Sequence, residues 1–302
     1  MMNRRKFIST AGLGLTVLSG AMGRVSDSRP KLTILQTNDT HSRMDPFPMD
    51  GTRSQGLGGV VRRKVLIDRI RERETYSLLV DSGDMFQGTP YYNLYGGTVE
   101  IEAMNRMGYE VATLGNHEFD NGISGLEKTM PDAQFEWVSS NLDWGGAKSL
   151  SPLVKPWTIK EIGPFKVGLF GLIIQFDGLV AEHNYEGVTY LDPIESARRS
   201  VAALKSRGCN LIVCLSHIGY TARSEEYGPH DDTMPAQVEG VDLVLGGHSH
   251  TFLDELVELP RRGGGMTRIT QQGWGGMRLG KVDVRLDKQG SLAMSQSGIA
   301  VV

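Results

Sequence analysis

"EVATLGNHEFDNG", residues 110–122, is the stretch on which the reading of the fold turns. Its apolar run stops at Gly115, and Asn116, His117, Glu118 and Asp120 follow at once. A short strand ending in a glycine turn suits a covered parallel sheet, and the carboxyl ends of such strands are where α/β domains gather polar groups. If the cluster is a site rather than a polar turn, other strands should end in the same way.

They do. Residues 31–37, 77–80, 110–114, 135–142, 166–172, 210–216 and 241–246 read as strands, several of them apolar on both faces. Between them, 58–73, 98–107 and 193–207 read as helices; Asp192 can cap the last, Pro193 suits its first turn and Gly208 follows its end. Beyond His250 the texture changes. "LDELVEL", "MTRITQQ" and "GKVDVRL" alternate with no helix between them, and "DKQG" reads as a turn. The C-terminal part is therefore expected to form antiparallel strands closing a second sheet, within one α/β domain of two packed sheets.

Five strand ends carry residues of metal-ligand type. "NDTH" brings Asp39 and His41, "DSGD" brings Asp81 and Asp84, and the opening stretch brings Asn116 and His117. "LSHIG" adds His217, and "LGGHSH" adds His248 and His250. Of seven histidines, only His183 and His230 fall elsewhere, so the placing is not that of scattered turn residues. Carboxylate oxygen with imidazole nitrogen suits Mn, Fe or Zn, and soft sulfur ligands are missing from the set. Two metals about 3.5–4 Å apart can clamp a phosphoryl group and lower the pKa of bound water. Gly83, Gly115, Gly246 and Gly247 allow the tight approach this needs.

The order D-x-H, G-D, G-N-H-E, H, G-H-x-H resembles the calcineurin-like metallophosphoesterases, and "GNHEFDNG" with "GGHSHTFL" is similar to their 5′-nucleotidase branch. The resemblance runs from about Lys31 to the C-terminus. It implies a four-layer α/β/β/α sandwich of two mixed β-sheets, holding two divalent ions (Mn, Zn or Fe). One ion would take Asp39, His41, Asp84 and His250; the other would take Asp84, Asn116, His217 and His248, with Asp84 bridging. His117 would be catalytic and oriented by Asp120, and Asn116 would also touch the substrate. Asp81 has no ligand role in this pattern and is expected to hydrogen-bond at its strand end. Glu118 is expected to support its neighbours.

The implied activity is metal-dependent hydrolysis of a phosphomonoester, a nucleotide or similar small phosphorylated compound, by hydroxide generated at the metals. Phosphodiesterase, sugar-nucleotide or sulfur-ester hydrolysis would use the same ligands, and a metal-loaded subunit without activity is a further alternative. Nucleotidases of this branch carry a C-terminal domain that stacks the base, for which residues after the last strands leave no room. A separate nucleoside-binding polypeptide is therefore an expected partner, and this chain alone is expected to discriminate poorly among nucleosides. Tyr91, Tyr92 and Trp274 are candidate pocket walls, although "PYYNLYGG" reads equally as a packed loop.

Composition narrows the rest. At 302 residues, 39% hydrophobic and 22% charged, the chain can bury a sizeable core. A formal charge of −3 gives no basic field for nucleic acid. Cys209 and Cys214 are too few for a disulfide framework and read as inert thiols. Arg4 and Arg5 precede the short apolar run "FISTAGLGLTVLSGAMG", which resembles a twin-arginine export signal. The expected division is an export signal over 1–23 and a catalytic domain over 24–302, working outside the cytoplasm with no stable membrane span after signal removal.

Overall fold

The computed structural model describes residues 29–221 and 228–302, so the expected export signal lies outside the described residues. Along the chain, β1 (Lys31–Thr37), α1 (Val60–Arg71), β2 (Ser77–Asp81), α2 (Pro90–Tyr95), α3 (Thr98–Met107) and β3 (Val111–Ala112) come first. A 3₁₀ turn at Asn116–Phe119 leads into α4 (Gly122–Thr129), β4 (Glu136–Val138), β5 (Leu142–Asp143), β6 (Val154–Lys155), β7 (Trp157–Ile162) and β8 (Phe165–Ile173). Then follow β9 (Thr189–Tyr190), α5 (Pro193–Ser206), β10 (Leu211–His217) and β11 (Leu243–Leu245). Four strands end the chain: β12 (Val257–Pro260), β13 (Met266–Thr270), β14 (Arg278–Leu286) and β15 (Leu292–Ala300).

The strands form two mixed sheets, in the orders β15-β14-β1-β2-β3-β4-β6 and β12-β13-β11-β10-β8-β7, with β5 and β9 paired separately. Side-chain parity explains the layering. In β1 and β2, Leu32, Ile34, Leu78 and Val80 face the second sheet, where they meet Leu211, Val213, Leu215 and Leu243. The alternate residues Leu35 and Leu79 face α1 and α3, packing with Ile67, Ile101 and Met104. On the far side, Ile212, Cys214 and Val244 pack against Ile194, Val201 and Leu204 of α5. The result is helix, sheet, sheet, helix: the four-layer α/β/β/α arrangement. Parity also aims the chemistry, because His217 continues the inward row of β10 and so enters the mouth of the cleft between the sheets.

Local sequence accounts for most boundaries. Asp192 caps α5 by accepting from the Glu195 N–H at 2.8 Å, and Gly208 follows with φ +75°. The expected strand over 110–114 pairs only at Val111–Ala112, because the chain leaves the ladder to deliver Asn116. The expected strand over 135–142 splits at Ser139. Its Asn141 side chain exchanges two hydrogen bonds with the Ile173 backbone instead of a ladder. "PYYNLY" is the helix α2, started by Pro90 and stopped by a left-handed Gly96.

The C-terminal strands depart from expectation. Only β12 and β13 extend the second sheet, and β13 lies parallel to β11. The β14–β15 hairpin joins the first sheet, with β14 antiparallel to β1 from Lys31↔Arg285 to Gln36↔Gly280. This covers what would be an unpaired edge of β1 and buries Val282 and Val284 between the sheets.

Candidate metal centre

Five loops at the carboxyl ends of β1, β2, β3, β10 and β11 converge at the mouth of the inter-sheet cleft. Their backbone is strained there. Among the described residues, the non-glycine residues with positive φ are Asp39, His41, Ser42, Asp84, Gln87, His248 and His250, at 46–69°. Five of these seven are expected ligands. Such conformations cost energy and persist where the surroundings over-determine them, which marks a site independently of residue type.

The donor atoms gather in three overlapping trios: Asp39 with His41 and His250, His41 with Asp84 and His117, and Asp84 with His217 and His248. His41 Nε2 lies 2.9 Å from His250 Nε2, and His250 Nε2 lies 3.3 Å from Asp39 Oδ1. On the other side, His217 Nε2 lies 3.1 Å from Asp84 Oδ2, and His248 Nδ1 lies 3.0 Å from Asn116 Oδ1. Separations of this size suit donors sharing one ion at about 2.0–2.2 Å. Asp84 belongs to two trios, as a bridging carboxylate would.

One atom tests the fit. His217 is fully buried, and its Nδ1 lies 2.7 Å from the Ser82 carbonyl, which makes Nδ1 the donor. That leaves Nε2 as a buried lone pair facing Asp84 with no hydrogen-bond partner. A neutral imidazole and a carboxylate so placed fit a cation between them. Without one, burial opposes charge on His217, but Asp84 and Asp39 outweigh it and hold the imidazole up at about 10. His248 moves oppositely, to about 4, through burial and the charge of His217. The same orientation recurs at His41, whose Nδ1 faces the Phe86 carbonyl at 3.3 Å and whose Nε2 points to the cluster.

His117 occupies the open side. Its side chain is 31% exposed and its Nδ1 lies 2.9 Å from Asp120 Oδ2. Burial lowers its basicity, but the Asp120 hydrogen bond with the charges of Asp84 and Asp120 raises it to about 9. Its backbone N–H also donates to Asp84 Oδ1 at 2.9 Å. Because His117 sits in a trio with His41 and Asp84, its Nε2 faces the cluster, and proton carrier or ligand are both geometrically open to it.

The supporting residues were less legible. Glu118 accepts from the backbone N–H groups of Asp84, Met85, Phe86 and Gly115, welding the β2 loop to the β3 loop. The glutamate after the asparagine and histidine is its only sequence signal. Asp81 accepts from Thr37 Oγ1 and the Gly83 N–H, a strand-end hydrogen-bonding residue. Asn38, next to Asp39, holds the Asp39 carboxylate and the Gly273 carbonyl through one amide. Tyr92 is core, stacked on Phe86, whereas Tyr91 is at the surface bonded to Asp45. Trp274 stacks on His250 at 5.8 Å and 13°. His230, set apart in the sequence, is buried beside the His248 loop.

No helix among the described residues is long and apolar enough to cross a membrane. A calcineurin-like phosphoesterase family profile matches residues 32–252, a span holding every residue of the cluster. The chain is 36% identical over 234 residues to the 5′-nucleotidase of Bos taurus, covering 75% of this chain and 39% of that protein. It is 28% identical over 303 residues to the trifunctional nucleotide phosphoesterase protein YfkN of Bacillus subtilis, covering 90% of this chain and 19% of that one. In structure it is similar to a 5′-nucleotidase precursor from Thermus thermophilus, with a TM-score of 0.80, 32% identity, 90% of this chain and 54% of that chain. It thus spans well under two thirds of these relatives' length. Sequence, fold and cluster agree, and this chain belongs to the calcineurin-like phosphoesterases.

Proposed function

We propose that the chain is a dinuclear metal-dependent phosphomonoesterase acting on nucleoside monophosphates or similar small phosphate esters. The observation that carries the reading is the buried His217 Nε2 lone pair beside Asp84, in a cluster flanked by a solvent-facing His117–Asp120 pair. Asp39, His41, Asp84 and His250 would hold one cation, and Asp84, Asn116, His217 and His248 would hold the other. Bound cations supply electrophilic stabilisation of the phosphoryl oxygens and a water of lowered pKa.

The chain's own residues do the rest. Asn116 orients a phosphoryl oxygen with its amide. Asp120 fixes the His117 ring through Nδ1, so that the proton on Nε2 can pass to the leaving alcohol oxygen as it departs. Phosphate release from a panel of nucleoside monophosphates, sugar phosphates and phosphodiesters, with Mn, Zn or Fe, tests the reading. Diester hydrolysis without monoester hydrolysis would replace it.

Export is proposed from the Arg4–Arg5 pair, with 1–23 as signal and 24–302 as catalytic domain. Relatives from snake venom are compatible with work outside the cell. Retention of the double variant Arg4→Lys/Arg5→Lys in the cytoplasm is the expected result. A separate nucleoside-binding polypeptide draws no support from the comparisons.

A further inference from the structure

Asp231 is a buried acid that the phosphoryl chemistry leaves unused. It is fully buried; its Oδ1 accepts from Ser216 Oγ, whereas its Oδ2 has no hydrogen-bond partner among the described residues. A buried carboxylate with an idle oxygen costs free energy, and such a group persists where its contacts serve something else. Its backbone is held as well. The Asp231 N–H donates to the Gly219 carbonyl at 2.9 Å, and the Asp232 N–H donates to the Tyr220 carbonyl at 3.0 Å. The loop that carries Asp231 is thereby clamped to the segment that follows β10.

Both contacts of the carboxylate lie one or two residues from an expected metal ligand. Ser216 precedes His217 in β10, and strand alternation puts their side chains on opposite faces of the sheet. His217 enters the cleft, while Ser216 continues the row of Ile212 and Cys214 on the α5 side, where Asp231 holds it. Beside Oδ2 lies Gly246, two residues before His248: a β-carbon there would lie 2.5 Å from Asp231 Oδ2. The next residue of that turn presses on the cleft, since a β-carbon on Gly247 would lie 2.8 Å from His217 Nδ1. The turn after β11 is thus wedged between Asp231 and His217. Its later part has another support. Gln271 donates to the Gly247 carbonyl at 2.6 Å and accepts from Ser249 Oγ at 3.0 Å and from the Thr251 N–H. Asp39 and His41 are held from elsewhere, by Asn38 and the Phe86 carbonyl.

We propose that Asp231 is a positioning residue for His217 and His248, setting the first through Ser216 and the second through the turn at Gly246. It therefore governs the site these two histidines share and not the neighbouring one. The proposal rests on the two-cation reading.

The test titrates the metal-stripped full chain with Mn²⁺ by calorimetry, with the Tm of each variant as the measure of its fold. The unaltered chain should take two equivalents. In Asp231→Ala one equivalent should bind as before and the other about 10–100-fold more weakly, the cost of losing a residue that orients a ligand. A loss of packing alone would lower Tm without separating the two equivalents. Ser216→Ala should weaken the same equivalent to a lesser degree. Asp231→Asn keeps an oxygen for Ser216 and the bulk beside Gly246, and should recover most of the affinity. The double variant Asp231→Ala/His217→Ala should bind its remaining equivalent as His217→Ala alone does, because both changes act on one site. Equal weakening of both equivalents, unchanged binding, or an Asp231→Asn chain no better than Asp231→Ala would overturn the proposal and leave the two-cation reading standing. Should Asp231→Ala fail to fold, Ser216→Ala decides: one weakened equivalent upholds the proposal, and two unchanged equivalents overturn it. Fewer than two equivalents in the unaltered chain would overturn the two-cation reading and the proposal with it.

Discussion

At the scale of single residues, two aspartates three positions apart do different work because their carboxylates meet different partners. Asp84 faces His217 and the His117 N–H, whereas Asp81 turns back to Thr37 and Gly83. Asp84→Ala should therefore lower the content of both metals by elemental analysis. Asp81→Ala should keep the metals and lose about 1–3 kcal/mol of stability, since it leaves buried donors unpaired. The reverse pattern would mean that the bridge is wrongly assigned. His117 carries a second prediction. An alkoxide leaving group needs a proton and a nitrophenolate does not, so His117→Ala should lose about 10²–10⁴ in rate on a nucleoside monophosphate and far less on p-nitrophenyl phosphate. Equal losses would assign the ring to charge stabilisation, and loss of metal would make it a ligand. The members of the donor cluster were readable in the sequence because hard oxygen and imidazole donors stand beside glycines at strand ends. His230 was not, because nothing local to a single histidine says which loop it will pack beside.

At the scale of elements, the centre depends on two loops that are pressed together. A β-carbon at Gly115 would lie 2.2 Å from Asp84 Oδ1 and 2.6 Å from His217 Nε2, so Gly115→Ala should abolish metal binding while the sheets still form. A variant that binds both metals normally by elemental analysis would show that the loops separate easily. Glu118 acts on the same contact. Glu118→Gln offers one oxygen in place of two to four N–H donors, and metal affinity should fall about 10–100-fold, as for other residues that orient ligands. Retained affinity in a folded Glu118→Gln chain would reduce Glu118 to packing. Strand and helix interiors were legible from period and caps, as Lys31–Thr37 and Thr98–Met107 illustrate. The β14–β15 hairpin was not, since alternation marks a strand without saying which sheet edge it will cover.

For the whole molecule, the fold is a device for bringing five distant loops to one cleft, and the unloaded cleft holds charge that metals should relieve. His117 is raised to about 9 and His217 to about 10, above the ordinary histidine value of about 6.5. Each binds a proton in the folded chain that the unfolded chain releases, so this stabilisation is full below about pH 6.5 and is lost as pH rises through about 9 and 10. The metal-free chain should show a Tm falling from about pH 7 to about pH 10, and metal should flatten the slope because a ligating histidine is neutral. A flat profile without metal would contradict the charges assigned here. The central claim, that this cleft hydrolyses phosphate esters with two cations, is tested most directly by one titration. Phosphate release from adenosine monophosphate by metal-stripped chain is followed as Mn²⁺ is added. A two-cation centre gives no release without metal and a plateau at two equivalents per chain; release at the full rate without metal, or a plateau at one equivalent, would contradict it.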